Sequence, residues 1–217
     1  MVTYAPPVAM RARGRPPKGD PDSISDAAIF EASLQAFAER GFEGTSMREV
    51  ARDLGISHNL IPQRLGSKED VWYAAVNHGF GALLNELLQE INEASPELDK
   101  VARLRASVVR FVQANAARPA LVRIINQEAV SPGPRLDYLF DNFIEPVRQF
   151  GETILRDLKA LGAVRTESVA LLYFFMTHGA GGAAALPALT ERFGATVDPV
   201  EAVDVLFDGL TVRPTDA

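Results

Sequence analysis

The sequence predicts an all-α protein built as a short three-helix unit followed by a longer helical bundle. Three observations carry this. From Ser23 onward apolar residues recur at spacings of three and four, with no Val/Ile/Thr alternation of strand length. Ser, Thr and Asp caps and glycine stops fall at helix-length intervals. The chain has 217 residues of which 47% are apolar, enough to bury a core.

Residues 1–22 read as a flexible basic arm rich in proline, with the cluster RARGRPPKGDPD. A first helix follows a Ser23/Ser25 cap, with Asp26 in its first turn and Ile29, Ala32/Ser33 and Ala36/Phe37 inward. It stops at Gly41. Thr45 is expected to cap a second helix, Ser46 to Leu54, with Met47, Val50, Ala51 and Leu54 inward. Gly55 breaks it, and Ser57 is expected to cap a short third helix. Ser67 with Asp70 forms a start resembling a capping box for a fourth helix, which runs through Trp72, Val76, Phe80 and Leu84 to Ile91. Further helices are predicted from Pro96 to about Ala117, Pro119 to Val130, Pro134 or Arg135 to Leu161, Glu167 to about Leu186 and Pro199 to Leu210.

A helix, a sharp glycine turn and a short helix with polar first residues is the helix-turn-helix arrangement. Its second helix must be short and outwardly polar to enter a DNA major groove about 12 Å wide. Residues 1–68 hold nine Lys/Arg against eight Asp/Glu, and the remainder thirteen against twenty, so the chain's net charge of -6 resides in its C-terminal part. The stretches IFEASLQAFAERGFEGTSMREVARDLGIS and LGSKEDVWYAAV carry a family pattern in Phe37, Ala38, Glu39, Gly41, Phe42, Thr45, Ser46, Arg48, Glu49, Val50, Ala51, Gly55, Ser57, Ser67, Lys68 and Glu69. Over about residues 24–76 the chain closely resembles the TetR/AcrR family of transcriptional regulators; the remainder resembles it only in length and helical layout. The resemblance implies a homodimeric repressor that binds double-stranded operator DNA and is released by a small molecule. It implies domains at 23–68 for DNA binding and 69–217 for effector binding and dimerisation. The alternative is a DNA-binding regulator without a small-molecule effector, controlled by a protein partner.

By the same resemblance Thr45, Ser46, Ser57 and Lys68 touch phosphates, and Arg48 joins the DNA-binding set. The third helix departs from the family pattern. It offers His58, Asn59, Gln63 and Arg64, side chains suited to base edges: Asn and Gln pair with adenine, Arg with guanine. Pro62, the fifth residue after Ser57, is expected to kink the helix or tighten its first turn, because an interior proline costs about 3 kcal/mol. It would thereby re-aim Gln63 and Arg64. In the arm, Arg13-Gly14-Arg15-Pro16 matches the core of an AT-hook, whose arginines enter narrow A·T-rich minor groove.

In the second domain Phe80, Leu84, Phe111, Phe143 and Tyr173 are expected to line an apolar cavity, together with Ile125, Phe140 and Phe150. Asn115, Asn126, Glu128 and His178 are polar groups in apolar surroundings that could orient a small apolar effector. Phe174, Phe175, Gly179, Gly182 and Ala183, with Val203, Leu206, Phe207 and Leu210 on the last helix, are expected to form a dimer surface.

Other functions lack their signatures. The absence of cysteine removes thiolate nucleophiles, disulfides and zinc–thiolate sites and suits a cytoplasmic setting. The three histidines have no metal-ligand spacing, and no nucleophile–base set or phosphate loop is present, so neither enzyme activity nor a cofactor is expected. Residues 168–190 carry no charge, but their glycines, His178 and Pro187 suit a buried helix better than a membrane span.

Overall fold

The computed structural model describes residues 24–93, 99–180, 182, 186–194 and 198–212. The arm with Arg13 and Arg15, and Ala183 of the expected dimer surface, lie outside the described residues.

The N-terminal head begins with α1 (Asp26–Gly44), capped by the Ser25 hydroxyl, which accepts from the Ala28 N–H at 3.2 Å. Its helical geometry breaks at Gly41, where φ is 71°. Then come α2 (Met47–Asp53) and α3 (Leu60–Leu65). The turn between them has Gly55 at φ 68°, a left-handed conformation that a side chain would strain. The capping-box reading of Ser67 and Asp70 is correct. Asp70 accepts from the Ser67 N–H at 2.8 Å, and the Ser67 hydroxyl accepts from the Asp70 N–H at 3.1 Å. This starts α4 (Lys68–Glu93).

The body continues with α5 (Lys100–Ala116), α6 (Pro119–Glu128) and α7 (Pro134–Leu139). A π-helical turn over Phe140–Ile144 leads from α7 directly into α8 (Glu145–Ala160). Pro146 explains this turn. Its ring would collide with the carbonyl of Asn142 in a regular α-helix, and widening the turn relieves the clash. The predicted helix from Glu167 to Leu186 is instead α9 (Val169–Phe174) running into a second π turn, Phe175–Ala180. Pro187 then opens a separate helix, α10 (Pro187–Phe193), and α11 (Pro199–Leu210) completes the described body. Among the described residues there is no strand, only an isolated bridge between Val164 and Thr211. None of their helices is long and apolar enough to cross a membrane.

Two apolar clusters organise the packing. The first joins the head to the body: Ile29, Phe37, Val50 and Ile61 share a core with Trp72 and Val76 of α4, Leu121 and Ile124 of α6, and Leu139 of α7. The second unites α5, α8, α9 and α11 through Val108, Leu155, Leu172 and Val203. The three-helix contact of α1, α4 and α6 is close. A Cβ on Gly79 would come within 2.8 Å of Leu121 and 2.9 Å of Leu34.

Candidate DNA-binding surface and effector cavity

Several head residues sit differently from expectation. Thr45 does not cap α2. It is buried, and its hydroxyl donates to the carbonyls of Gly41 at 2.7 Å and Ala36 at 3.0 Å. It closes the end of α1, so its hydroxyl has no open path to a phosphate. The N-cap of α2 is half-buried Ser46, whose side chain makes no capping bond. Ser57 is exposed and also caps nothing with its side chain; the N-cap of α3 is Asn59. Lys68 directs its ammonium at the end of α1, donating to the carbonyls of Phe42 at 2.9 Å and Thr45 at 3.3 Å. It also lies 4.4 Å from the centre of the Phe42 ring. A phosphate contact through Lys68 would have to replace these bonds.

Pro62 neither kinks α3 nor lies in its interior. The helix starts at Leu60, so Pro62 is its third residue. N–H groups of a first turn have no helical acceptor, so the missing donor removes no bond. The first α-helical bond runs from the Gln63 N–H to the Asn59 carbonyl at 3.0 Å. A proline disfavours helical backbone in the residue before it. Here that residue, Ile61, is helical and fully buried in the head's core, and its burial outweighs the preference.

His58, Asn59 and Gln63 are exposed on and before α3, and Arg48 is exposed on α2. Arg64 is held by the start of α1: its Nη1 donates to the Ile24 carbonyl at 2.7 Å, and its Nε lies 2.7 Å from Asp26 Oδ1.

Between the two apolar clusters the body holds a partly open cavity of about 560 Å³, with an adjoining pocket of about 60 Å³. Eleven of the twelve residues expected at a ligand site line one or both: Phe80, Leu84, Phe111, Asn115, Ile125, Asn126, Phe140, Phe143, Phe150, Tyr173 and His178. Asn115 is inward-facing but satisfied, donating to the Phe111 carbonyl at 2.7 Å. His178 Nδ1 is 2.7 Å from the Thr177 hydroxyl. Glu128 does not line the cavity; it accepts from Arg135 Nε through both oxygens at 2.9 and 3.0 Å. Burial raises the Tyr173 pKa, keeping the phenol neutral.

Both π turns stand on the cavity wall, one with Phe140, the other with Met176 and His178. Of α8, sequence reading named only Phe150; Val147, Gly151 and Ile154, with Ile144 just before the helix, recur at helical spacing along one wall. It also missed Arg110 and Arg148. Arg148 is compensated by Glu145 and Glu152, and this pairing, with a bond from Gln149, lowers the Glu145 pKa to about 2. Arg110 borders both the cavity and an open polar cleft shared with Glu86, Gln113 and Arg118.

The expected dimer surface divides. Val203, Phe207 and Leu210 are buried in the chain's own second core and Leu206 packs at its edge, because that stripe of α11 faces α5. This corrects their assignment to an intersubunit face. Phe174 is 59% and Phe175 52% exposed, and Val205, on another face of α11, is 71% exposed. Gly179 is exposed and Gly182 half-buried.

The family of bacterial regulatory proteins of the tetR type matches residues 29–75, the span from the core of α1 into α4 that builds this head. Residues 29–75 thus carry a domain of the TetR type. Similarity to curated relatives covers part of the chain. An HTH-type transcriptional repressor of Mycobacterium tuberculosis is 37% identical over 62 residues, 29% of this chain and 32% of that protein. The regulator BetI of Rhizobium meliloti is 26% identical over 88 residues, 41% of this chain and 43% of its own. The chain thus aligns with less than half the length of these relatives. The fold extends further. The ketosteroid regulator KstR2 of Mycobacterium tuberculosis superposes with a TM-score of 0.66 at 20% identity, over 87% of this chain and 95% of that one. AibR, solved with isovaleryl coenzyme A and operator DNA, superposes with a TM-score of 0.65 at 19% identity, over 84% and 95%.

Proposed function

We propose that this protein is a homodimeric transcriptional repressor released from operator DNA by a small, largely apolar effector bound in the body cavity. The observation that carries this reading is the position of α6. Ile125 and Asn126 of α6 wall the cavity, while Leu121 and Ile124 belong to the core shared with α1, and Gln127 Nε2 donates to the Ala38 carbonyl of α1 at 2.9 Å. A ligand that moves α6 therefore acts on the head through one rigid helix. The AibR complex supports the pairing of effector and operator on this fold. A largely apolar cavity of this size favours the effector reading over control by a protein partner. Asn59 and Gln63 supply base contacts, with Arg48 on the phosphates.

A dimer would place two heads on a palindromic operator. The exposed Phe174, Phe175 and Val205 favour such a face. The test is operator selection with purified protein, followed by titration of the complex with a panel of apolar compounds. Val147→Trp, which fills the cavity, should leave operator affinity intact and abolish release. A releasing compound that acts equally on this variant would refute the cavity as its site. Phe175→Glu should yield monomers in sedimentation equilibrium and weaken operator binding.

A further inference from the structure

The walls of the cavity carry charge of one sign. Among the described residues that line it are Arg110 and Arg148 but no Asp or Glu, although the chain as a whole has a net charge of -6. The adjoining pocket has no Asp, Glu, Lys or Arg among its described lining. Most of the remaining wall is apolar, from Leu104 and Phe111 on α5 to Val147 and Ile154 on α8.

The two arginines are placed differently. Arg148 is matched by Glu145 and Glu152, two carboxylates of its own helix, which offset its charge. Arg110 is exposed on α5, where the cavity meets the open polar cleft. The one carboxylate among the described residues of that cleft, Glu86, is paired with Arg118. Arg110 has an interaction of its own within the chain, so an arriving anion joins that interaction or exchanges with it. Ser107 also lines the cavity, one turn earlier on α5, and residues three apart on a helix share a face.

We propose that the effector is an amphipathic anion, whose apolar chain fills the cavity while its carboxylate or phosphate pairs with Arg110 at the mouth, with Ser107 as a further donor. This rests on the cavity reading above. An unpaired charge among apolar walls is costly, so the charged head belongs at the mouth and not inside. A guanidinium there offers parallel N–H donors to a carboxylate or phosphate. A cationic effector would meet two guanidiniums and no described carboxylate on the walls, and a wholly apolar one would gain nothing from Arg110.

The experiment is calorimetric titration of the full chain with three probes of one chain length: octanoate, octyl phosphate and the neutral octanamide. Thermal denaturation checks that each variant is folded. The wild type should bind at least one of the anions about tenfold more tightly than octanamide. That margin should shrink as salt is raised, because the mouth is open to solvent. The tighter of the two anions tells a carboxylate site from a phosphate site. Arg110→Gln should remove the margin and leave octanamide binding unchanged, whereas Arg148→Gln should keep the margin. Val147→Trp should abolish binding of all three. Octanamide binding as tightly as both anions, or a margin that survives Arg110→Gln, overturns the proposal and leaves the cavity reading standing. Failure of all three probes to bind overturns it too. Binding that survives Val147→Trp lies outside the cavity and defeats both.

Discussion

Thr45, Ser67 and Asp70 show how much single polar side chains stabilise the head. Thr45 satisfies two carbonyls at the end of α1 from a buried site. Thr45→Val preserves shape but removes the single O–H shared by these carbonyls, leaving the nearer Gly41 carbonyl without it, and should cost about 1–3 kcal/mol in urea unfolding. Operator affinity of the folded fraction should stay the same, because the hydroxyl faces inward. Ser67→Ala removes a cap and should cost about 1 kcal/mol. The bonds from the Ser67 hydroxyl and N–H lower the Asp70 pKa from its ordinary 3.8. A lowered carboxyl pKa stabilises the fold fully above that ordinary value and loses its effect as pH falls through the lowered one. Acid denaturation below about pH 4 should therefore be less steep in Ser67→Ala than in the wild type. Gly66 belongs to the same corner. It sits at φ 89°, and a Cβ there would meet Asp70 Oδ2 at 2.6 Å, so Gly66→Ala should disrupt the cap as well.

At the scale of elements, two prolines act in opposite ways. Pro62 lies in the first turn of α3, where its ring restricts the unfolded chain and removes no bond. Pro62→Ala should destabilise by up to about 1 kcal/mol. Were Pro62 interior to a helix, the same change would stabilise by about 3 kcal/mol, and equilibrium unfolding separates the two. Pro146, by contrast, follows a π turn in the continuous α7–α8 rod. Pro146→Ala should let the turn relax to α-helix and rotate Phe140 and Phe143 relative to α8. A crystal structure of the variant checks the register, and altered effector affinity is the expected consequence.

At the scale of the whole molecule, head and body share one core, so the head is not an independent bead on a linker. Besides the α1–α6 contact, Arg135 of α7 stacks 4.0 Å from the centre of the Phe42 ring, which Lys68 covers as well. Gly79 permits the closest approach of α1, α4 and α6, so Gly79→Ala should push these helices apart at a cost of about 1–3 kcal/mol. Its operator binding should respond less to a releasing compound than that of the wild type. Effector binding should also raise the melting temperature, since a ligand at one hundred times its Kd stabilises by about 2.7 kcal/mol.

The helical class, the helix-turn-helix and the Ser67–Asp70 cap were legible in the chain because each depends on residues a few positions apart. Apolar period, cap chemistry and the glycine turn are local properties. The cavity lining was legible in part, since aromatic residues on amphipathic helices have few other places to go. Tertiary structure decided the rest. Whether Val203 and Phe207 face a second subunit or α5 depends on which helix lies opposite, and an apolar stripe looks the same in both cases. Arg64 reads as a base contact in sequence because its partner, Ile24, is forty residues away. Thr45 and Lys68 match a binding pattern, yet both turn to the end of α1, where buried carbonyls lie within hydrogen-bond reach. Even the place of Pro62 was a matter of three residues. Only the turn at His58–Asn59, held by the Leu60 N–H on the Ser57 carbonyl, sets where α3 begins.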